Sequence, residues 1–156
     1  MQDASALIKD LPFGRAQIES ILPHRDPFLW VSRVIACDPG KSIVAELDVD
    51  RSLELFKGHF PTHPVLPGVI IMESLAQAAS ISILLGRGAN GSIGFLTGID
   101  AAKFRRPVRP GDVLRLEATI VKSSSRLCVA QTTALVDGEV CATATQKYVL
   151  AAPERA

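Results

Sequence analysis

GHFPTHPVLPGVIIMESLAQ, residues 58–77, joins two chemically unlike halves. Gly58 to Pro67 carries two histidines and three prolines in ten residues. Proline removes backbone donors and disfavours helix in the residue before it, so His59 and His63 are expected on a stiff, extended loop. The second half opens at Pro67-Gly68 and stays apolar as far as Leu85. Proline suits the first turn of a helix, where a missing N–H costs nothing. A central helix is therefore predicted from about Gly68 to Leu85, stopped by Gly86-Arg87-Gly88. Within it Glu73 is the one carboxylate, with Gln77 and Ser80 spaced to share its face. An acid inside an apolar helix is expensive to keep, which marks it for chemistry.

Working outward, the segments on both sides read mainly as strands. Phe28 to Cys37 is apolar and β-branched and ends at the turn Asp38-Pro39-Gly40. Ser42 to Val49 alternates, with Ile43, Ala45, Leu47 and Val49 on one face, and completes a hairpin. Leu53 to Phe56 is expected as a single helical turn. After the helix come Ile93–Phe104, Val113–Lys122, Leu127–Val136 and Val140–Leu150, the last two joined at Asp137-Gly138, a strong hairpin signal. Ala16 to Leu22 predicts a short helix closed by Pro23, and residues 1–13 a loosely held arm. A helix apolar nearly all round must be enclosed. A curved antiparallel sheet wrapped around it is the economical solution, an α+β architecture in one domain spanning residues 1–156.

The composition, 47% hydrophobic against 21% charged over 156 residues, is that of a chain able to bury a full core. A net charge of +1 argues against a general nucleic-acid binder. Glu73, Ser74, Gln77, Ser80 and Ser82 interrupt the apolar run, which argues against a membrane span. Cys37, Cys128 and Cys141 read as small hydrophobes in a reducing, cytoplasmic setting, and the first residues lack a secretory signal.

Several motif matches fail on context. Gly86 to Gly91 fits GxGxxG, but follows a helix and precedes a strand, the reverse of a dinucleotide site. Asn90-Gly91-Ser92 is a glycosylation sequon without a secretory route, and His24-Arg25-Asp26 echoes a kinase loop without the rest of that signature. His59 and His63 with Glu73 suggest zinc spacing, yet Pro61 and Pro64 keep the histidines off one helical face, so no metal is expected. Ser74 and Ser80 have no histidine at a helical offset and read as bonded back to the helix.

The remaining parts suit acid–base work. A histidine on a partly open loop stays neutral and basic, while a carboxyl in apolar surroundings holds its proton toward neutral pH. The N–H groups at Gly68 and Val69, at the positive end of the helix, suit a developing oxyanion, where one donor is worth about 3–4 kcal/mol. Loss of water from a 3-hydroxyacyl thioester needs all three. A purely structural His59, holding the loop to a carbonyl, is the competing reading.

The same stretch resembles the signature of the 3-hydroxyacyl-[acyl-carrier-protein] dehydratases of dissociated fatty-acid synthesis. LPHRDPFLWVSRV at 22–34 and GIDAAKFRRPVRPGD at 98–112 are similar to that family too. The resemblance implies the hot-dog fold, catalysis without a cofactor by His59 as base and Glu73 as acid, and the Gly68 amide as carbonyl donor. It implies a homodimer with each active site shared between subunits, and often a trimer of dimers. Phe60, Val69, Gln77 and Phe95 are then expected along the substrate path, although Phe95 reads equally as a core aromatic. Lys103, Arg105, Arg106 and Arg109 are candidates to dock an acidic acyl carrier protein, against the simpler reading of a solvated turn. Glu73 itself favours the plain dehydratase, since the double-bond-isomerising relative usually carries Asp there. Asp26, Trp30 and Ser32 depart from the family's usual tyrosine, aliphatic residue and aspartate. A hot-dog thioesterase and a non-catalytic acyl-binding subunit are the alternative functions.

Overall fold

The computed structural model describes residues 3–88 and 91–152, so Ala89 and Asn90 of the glycine motif and sequon lie outside it. In chain order it contains α1 (Ala4–Lys9), α2 (Arg15–Ile21), β1 (Arg33–Asp38), β2 (Ser42–Asp48), a 3-10 turn (Glu54–Lys57) and α3 (Gly68–Gly86). Four long strands follow: β3 (Ile93–Phe104), β4 (Val113–Ser123), β5 (Leu127–Val136) and β6 (Glu139–Ala151). They form one antiparallel sheet in the order β1-β2-β4-β5-β6-β3. The sheet packs on α3, the hot-dog arrangement expected.

From Ile71 to Leu85 every residue of α3 except Glu73 is buried. That burial explains how a helix long and apolar enough by composition to cross a membrane is instead sheathed by strands. Pro67, expected inside the first turn, sits just outside it as the N-cap, with φ −57° and ψ 139°. The facing side of the sheet follows strand alternation: Ile43 pairs with Ala118, Ala45 with Leu116 and Leu47 with Leu114, all buried. Fully burying each of the larger aliphatics stabilises by about 1.5–3 kcal/mol. Asp137 (φ 51°) and Gly138 (φ 77°) both adopt the left-handed conformation that a two-residue hairpin turn requires.

The far end of α3 is clamped to the β1–β2 turn. Gly40 N–H donates to the Ser82 carbonyl at 2.8 Å, and the Ser82 hydroxyl lies 3.2 Å from both the Asp38 and Ser42 carbonyls. The backbones approach so closely that a Cβ on Gly86 would sit 2.7 Å from Gly40 Cα.

Two expectations need correction. Residues 3–13 are not a loose arm: Asp3 caps α1, Leu7 is buried, and Phe13 is buried and bridges backbone to backbone with Val34. The strand expected from Phe28 begins only at Arg33. Its first residues are extended, but a side chain from α3 takes their hydrogen bonds: Trp30 N–H donates to Gln77 Oε1 and the Phe28 carbonyl accepts from Gln77 Nε2.

β3 is an outer strand of the sheet, and it carries exposed Phe95, Ile99 and Phe104. Phe60 and Val69 are exposed as well.

Candidate active site

His59 is placed by the 3-10 turn before it and the prolines after it. Its N–H donates to the Leu55 carbonyl at 3.0 Å, and its carbonyl accepts from Val65 N–H at 3.0 Å. Phe60 and His63 exchange backbone bonds of 3.3 and 3.0 Å, which closes the loop. The imidazole Nδ1 lies 2.7 Å from the Val65 carbonyl oxygen. A carbonyl only accepts, so Nδ1 carries the proton, and in the neutral ring Nε2 is left with its lone pair free to act as a base. The Phe60 ring stacks on the imidazole, centroids 4.2 Å apart.

His59 opens into a hollow of about 390 Å³ together with Gly68, Phe104, Arg105 and Arg106. Here lies the start of α3, where no side chain caps the first N–H groups. A Cβ on Gly68 would come within 2.8 Å of the Phe104 ring, so glycine is what lets the aromatic approach the helix terminus. Dipole and free donors make this end receptive to negative charge.

Glu73 lies in a different place. Its side chain is 23% exposed, less enclosed than the sequence suggested, and its Oε1 accepts from Gln77 Nε2 at 2.9 Å. His24 Nε2 stands 3.7 Å from the same oxygen. The carboxylate borders a cavity of about 40 Å³ formed by His24, Ala76, Ser80, Gly94, Leu96 and Tyr148. Burial holds the His24 imidazole below its ordinary pKa, Glu73 opposes that shift, and Arg25 adds to it. Its Nδ1 is buried without a hydrogen-bond partner among the described residues. Behind the carboxylate, buried Tyr148 donates to Gln146 Oε1 at 2.5 Å, and Gln146 Nε2 donates to the Met72 carbonyl at 2.8 Å. That chain ties β6 to the residue preceding Glu73. Burial, with Glu73 adding, pushes the Tyr148 phenol strongly upward in pKa.

One copy of the chain thus brings His59 and Gly68 together in one hollow, with Phe60 stacked on the imidazole, and Glu73 and Gln77 together in another. Gln77, expected on the substrate path, is buried, and its amide is engaged by Trp30, Phe28 and Glu73, so it holds the Glu73 side chain in place. Val69 is exposed beside Gly68. Phe95 is 53% exposed, so it is no core aromatic, and it does not border the Glu73 cavity. Of the basic group, Arg106 pairs with Glu139 at 3.3 Å, whereas Lys103, Arg105 and Arg109 make no ion pair among the described residues. Asp26, Trp30 and Ser32 all line one further hollow of about 540 Å³, where Arg15 pairs with Asp26 at 3.0 Å. Among the described residues no three His, Cys, Asp or Glu side chains converge as a metal cluster would.

Sequence reasoning passed over His24, whose only motif, His24-Arg25-Asp26, pointed to a chemistry this chain lacks. Its value depends on a contact with α3 that no local pattern encodes. Gln146 and Tyr148 were likewise visible only as strand residues.

A family model described as a FabA-like domain matches residues 22–145. Among curated proteins, the chain is 45% identical over 134 residues to a 3-hydroxyacyl-[acyl-carrier-protein] dehydratase FabZ of Ruminiclostridium cellulolyticum, covering 86% of this chain and 94% of that one. It is 46% identical over 141 residues to the protein of the same name from an Anaeromyxobacter species, covering 88% and 90%. Among solved structures it resembles the dehydratase heterocomplex ApeI:P of Xenorhabdus doucetiae, with TM-score 0.73, 20% identity and 93% of each chain covered. A hypothetical thioesterase of Streptococcus pneumoniae is similar with TM-score 0.60 at 12% identity, covering 78% of this chain and 87% of that one. Those two share the fold alone. The matched span and the identity to full-length relatives place the chain in the FabA-like family, among the 3-hydroxyacyl-[acyl-carrier-protein] dehydratases.

Proposed function

We propose that the chain catalyses the reversible dehydration of (3R)-hydroxyacyl-[acyl-carrier-protein] to the trans-2-enoyl thioester, with His59 as base and Glu73 as acid. The observation that carries the reading is the state of His59: its Nδ1–H is committed to the Val65 carbonyl, which leaves Nε2 as a fixed proton acceptor. In the forward direction Nε2 removes a proton from C2. The charge passes to the thioester oxygen, which the Gly68 amide and the helix terminus stabilise. As C2=C3 forms, the C3–O bond breaks and protonated Glu73 gives its proton to the departing hydroxyl, releasing water. Imidazolium and carboxylate remain and are reset by proton exchange with solvent.

Within one copy the base and the acid occupy separate hollows, and β3 ends the sheet with apolar side chains exposed. We therefore propose a homodimer in which His59 of one subunit faces Glu73 of the other, with three dimers able to assemble further. Acyl carrier protein delivers the thioester, and Lys103, Arg105 and Arg109, free of ion pairs among the described residues, suit its docking better than Arg106. The three free cysteines fit a reducing, cytoplasmic setting.

The test uses crotonyl-thioester hydration. His59→Asn and Glu73→Gln should each lose at least about 100-fold in turnover, the lower range for an acid or base. Mixing the two inactive variants after subunit exchange should restore activity. Random re-pairing makes about half the dimers mixed, each with one intact site, so recovery approaches about a quarter of native turnover. Activity retained in either variant would end the assignment, and absence of recovery would end the shared site.

A further inference from the structure

We infer that Gly94 sets the size of the acyl tail this site accepts, because the first tail carbons beyond C3 occupy the cavity between Glu73 and Gly94. The inference rests on the dehydratase reading. If Glu73 protonates the hydroxyl on C3, then C4 begins within a bond or two of that carboxylate. The space bordering Glu73 is therefore where the tail must go.

That space is the 40 Å³ cavity, and its walls are unusually small where α3 faces β3: Ala76 and Ser80 on the helix, Gly94 on the strand. Ala76 and Ser80 stand one helical turn apart on one face, the spacing that lines a groove. Gly94 directs its missing side chain at Ser80, since a Cβ there would lie 3.3 Å from Ser80 Oγ and 3.7 Å from Leu150 Cδ2. Its φ is not in the left-handed region, so turn geometry gives no reason for glycine at this strand position. The cavity wall does: any side chain there would press on Ser80, which lines the space beside Glu73. A cavity of this size holds about two or three water- or methylene-sized groups, which matches the three carbons beyond C3 in a six-carbon acyl chain. Tyr148 and Leu96 close the far side.

The experiment compares hydration of crotonyl and trans-2-hexenoyl thioesters by the native protein, Gly94→Val and Ala76→Val. Gly94→Val fills the cavity from the strand and Ala76→Val narrows it from the helix, so one carries the test if the other fails to fold. Native protein should hydrate both thioesters. Either folded variant should lower the hexenoyl-to-crotonyl ratio of kcat/KM at least about 10-fold, the lower range for methylenes refused by a pocket. An unchanged ratio in a folded variant overturns the inference while leaving the dehydratase reading intact. A native protein that hydrates crotonyl but not hexenoyl thioester overturns it as well. Failure of the native protein on both substrates would instead overturn the dehydratase reading.

Discussion

Replacing Gln77 by leucine should separate the fold's dependence on this residue from the site's. Gln77 is 1% exposed and makes three hydrogen bonds: from Trp30 N–H at 2.8 Å, to the Phe28 carbonyl at 2.9 Å and to Glu73 at 2.9 Å. Leucine fills a similar volume but satisfies none of these groups. Trp30 N–H is the costly one, because it lies in a buried residue, and a stranded buried donor costs about 1–3 kcal/mol. Phe28 is half exposed, so its carbonyl can turn to water and adds less. The lost bond to Glu73 adds a further hydrogen bond's worth, partly offset by the extra apolar burial. The net expectation is a loss of about 2–4 kcal/mol, or about 4–16 °C in Tm for a chain of this length.

The same substitution should reduce kcat more than it raises KM. On the proposed mechanism Gln77 holds the acid, and misplacing a catalytic group by about 1 Å costs on the order of 100-fold. Thermal melts and crotonyl-thioester kinetics on the same preparation read both effects. A Gln77→Leu protein with native Tm would show that the Trp30 contact carries no energy. A destabilised variant with native kcat would show that Gln77 holds the Phe28–Trp30 segment but not Glu73.

Gly86→Ala should cost about 1–3 kcal/mol by overpacking against Gly40, whereas Gly58→Ala, with φ −111° and nothing within 4 Å, should stay within about 0.5 kcal/mol of native. Urea midpoints measured at equal m-values decide between them, and equal costs would refute the close approach. His24 gives a pH prediction. Its folded pKa lies below the ordinary 6.5, so the unfolded chain binds a proton first as pH falls. Its contribution to stability is complete above about pH 6.5 and is lost on acidification toward the lowered folded value, by at most about 1.4 kcal/mol per pH unit. His24→Asn should flatten that part of the stability–pH curve relative to native, and parallel curves would refute it.

The fold was legible where local chemistry and packing agree. Ile93–Phe104 and Leu127–Val136 alternate or punctuate as strands should, and Asp137-Gly138 admits the positive φ its turn demands. α3 was readable because nothing else accommodates nineteen residues apolar on every side. The N-terminal segment was not, since α1 buries only Leu7 and gives no periodicity to read. Phe28 to Val31 misled for another reason. Its composition suits a strand, but Gln77, distant in sequence, captures the backbone groups a ladder would use. The site divides the same way. His59 and Glu73 stood out because of local pattern, a histidine among prolines and a lone carboxylate in an apolar run, while His24, Gln146 and Tyr148 acquire meaning only from contacts across the fold.

Dehydration and thioester hydrolysis place different demands on the same residues. A carboxylate that activates water for thioester cleavage needs one base and an oxyanion donor. Elimination needs a proton removed at C2 and another delivered at C3, so it needs two groups in opposite protonation states. The loop of residues 58–65 spends its backbone on holding Nδ1 of His59 to a carbonyl, and α3 spends Gln77 on holding Glu73. On the proposed mechanism the loop orients the base and α3 orients the acid, the two proton carriers that elimination requires.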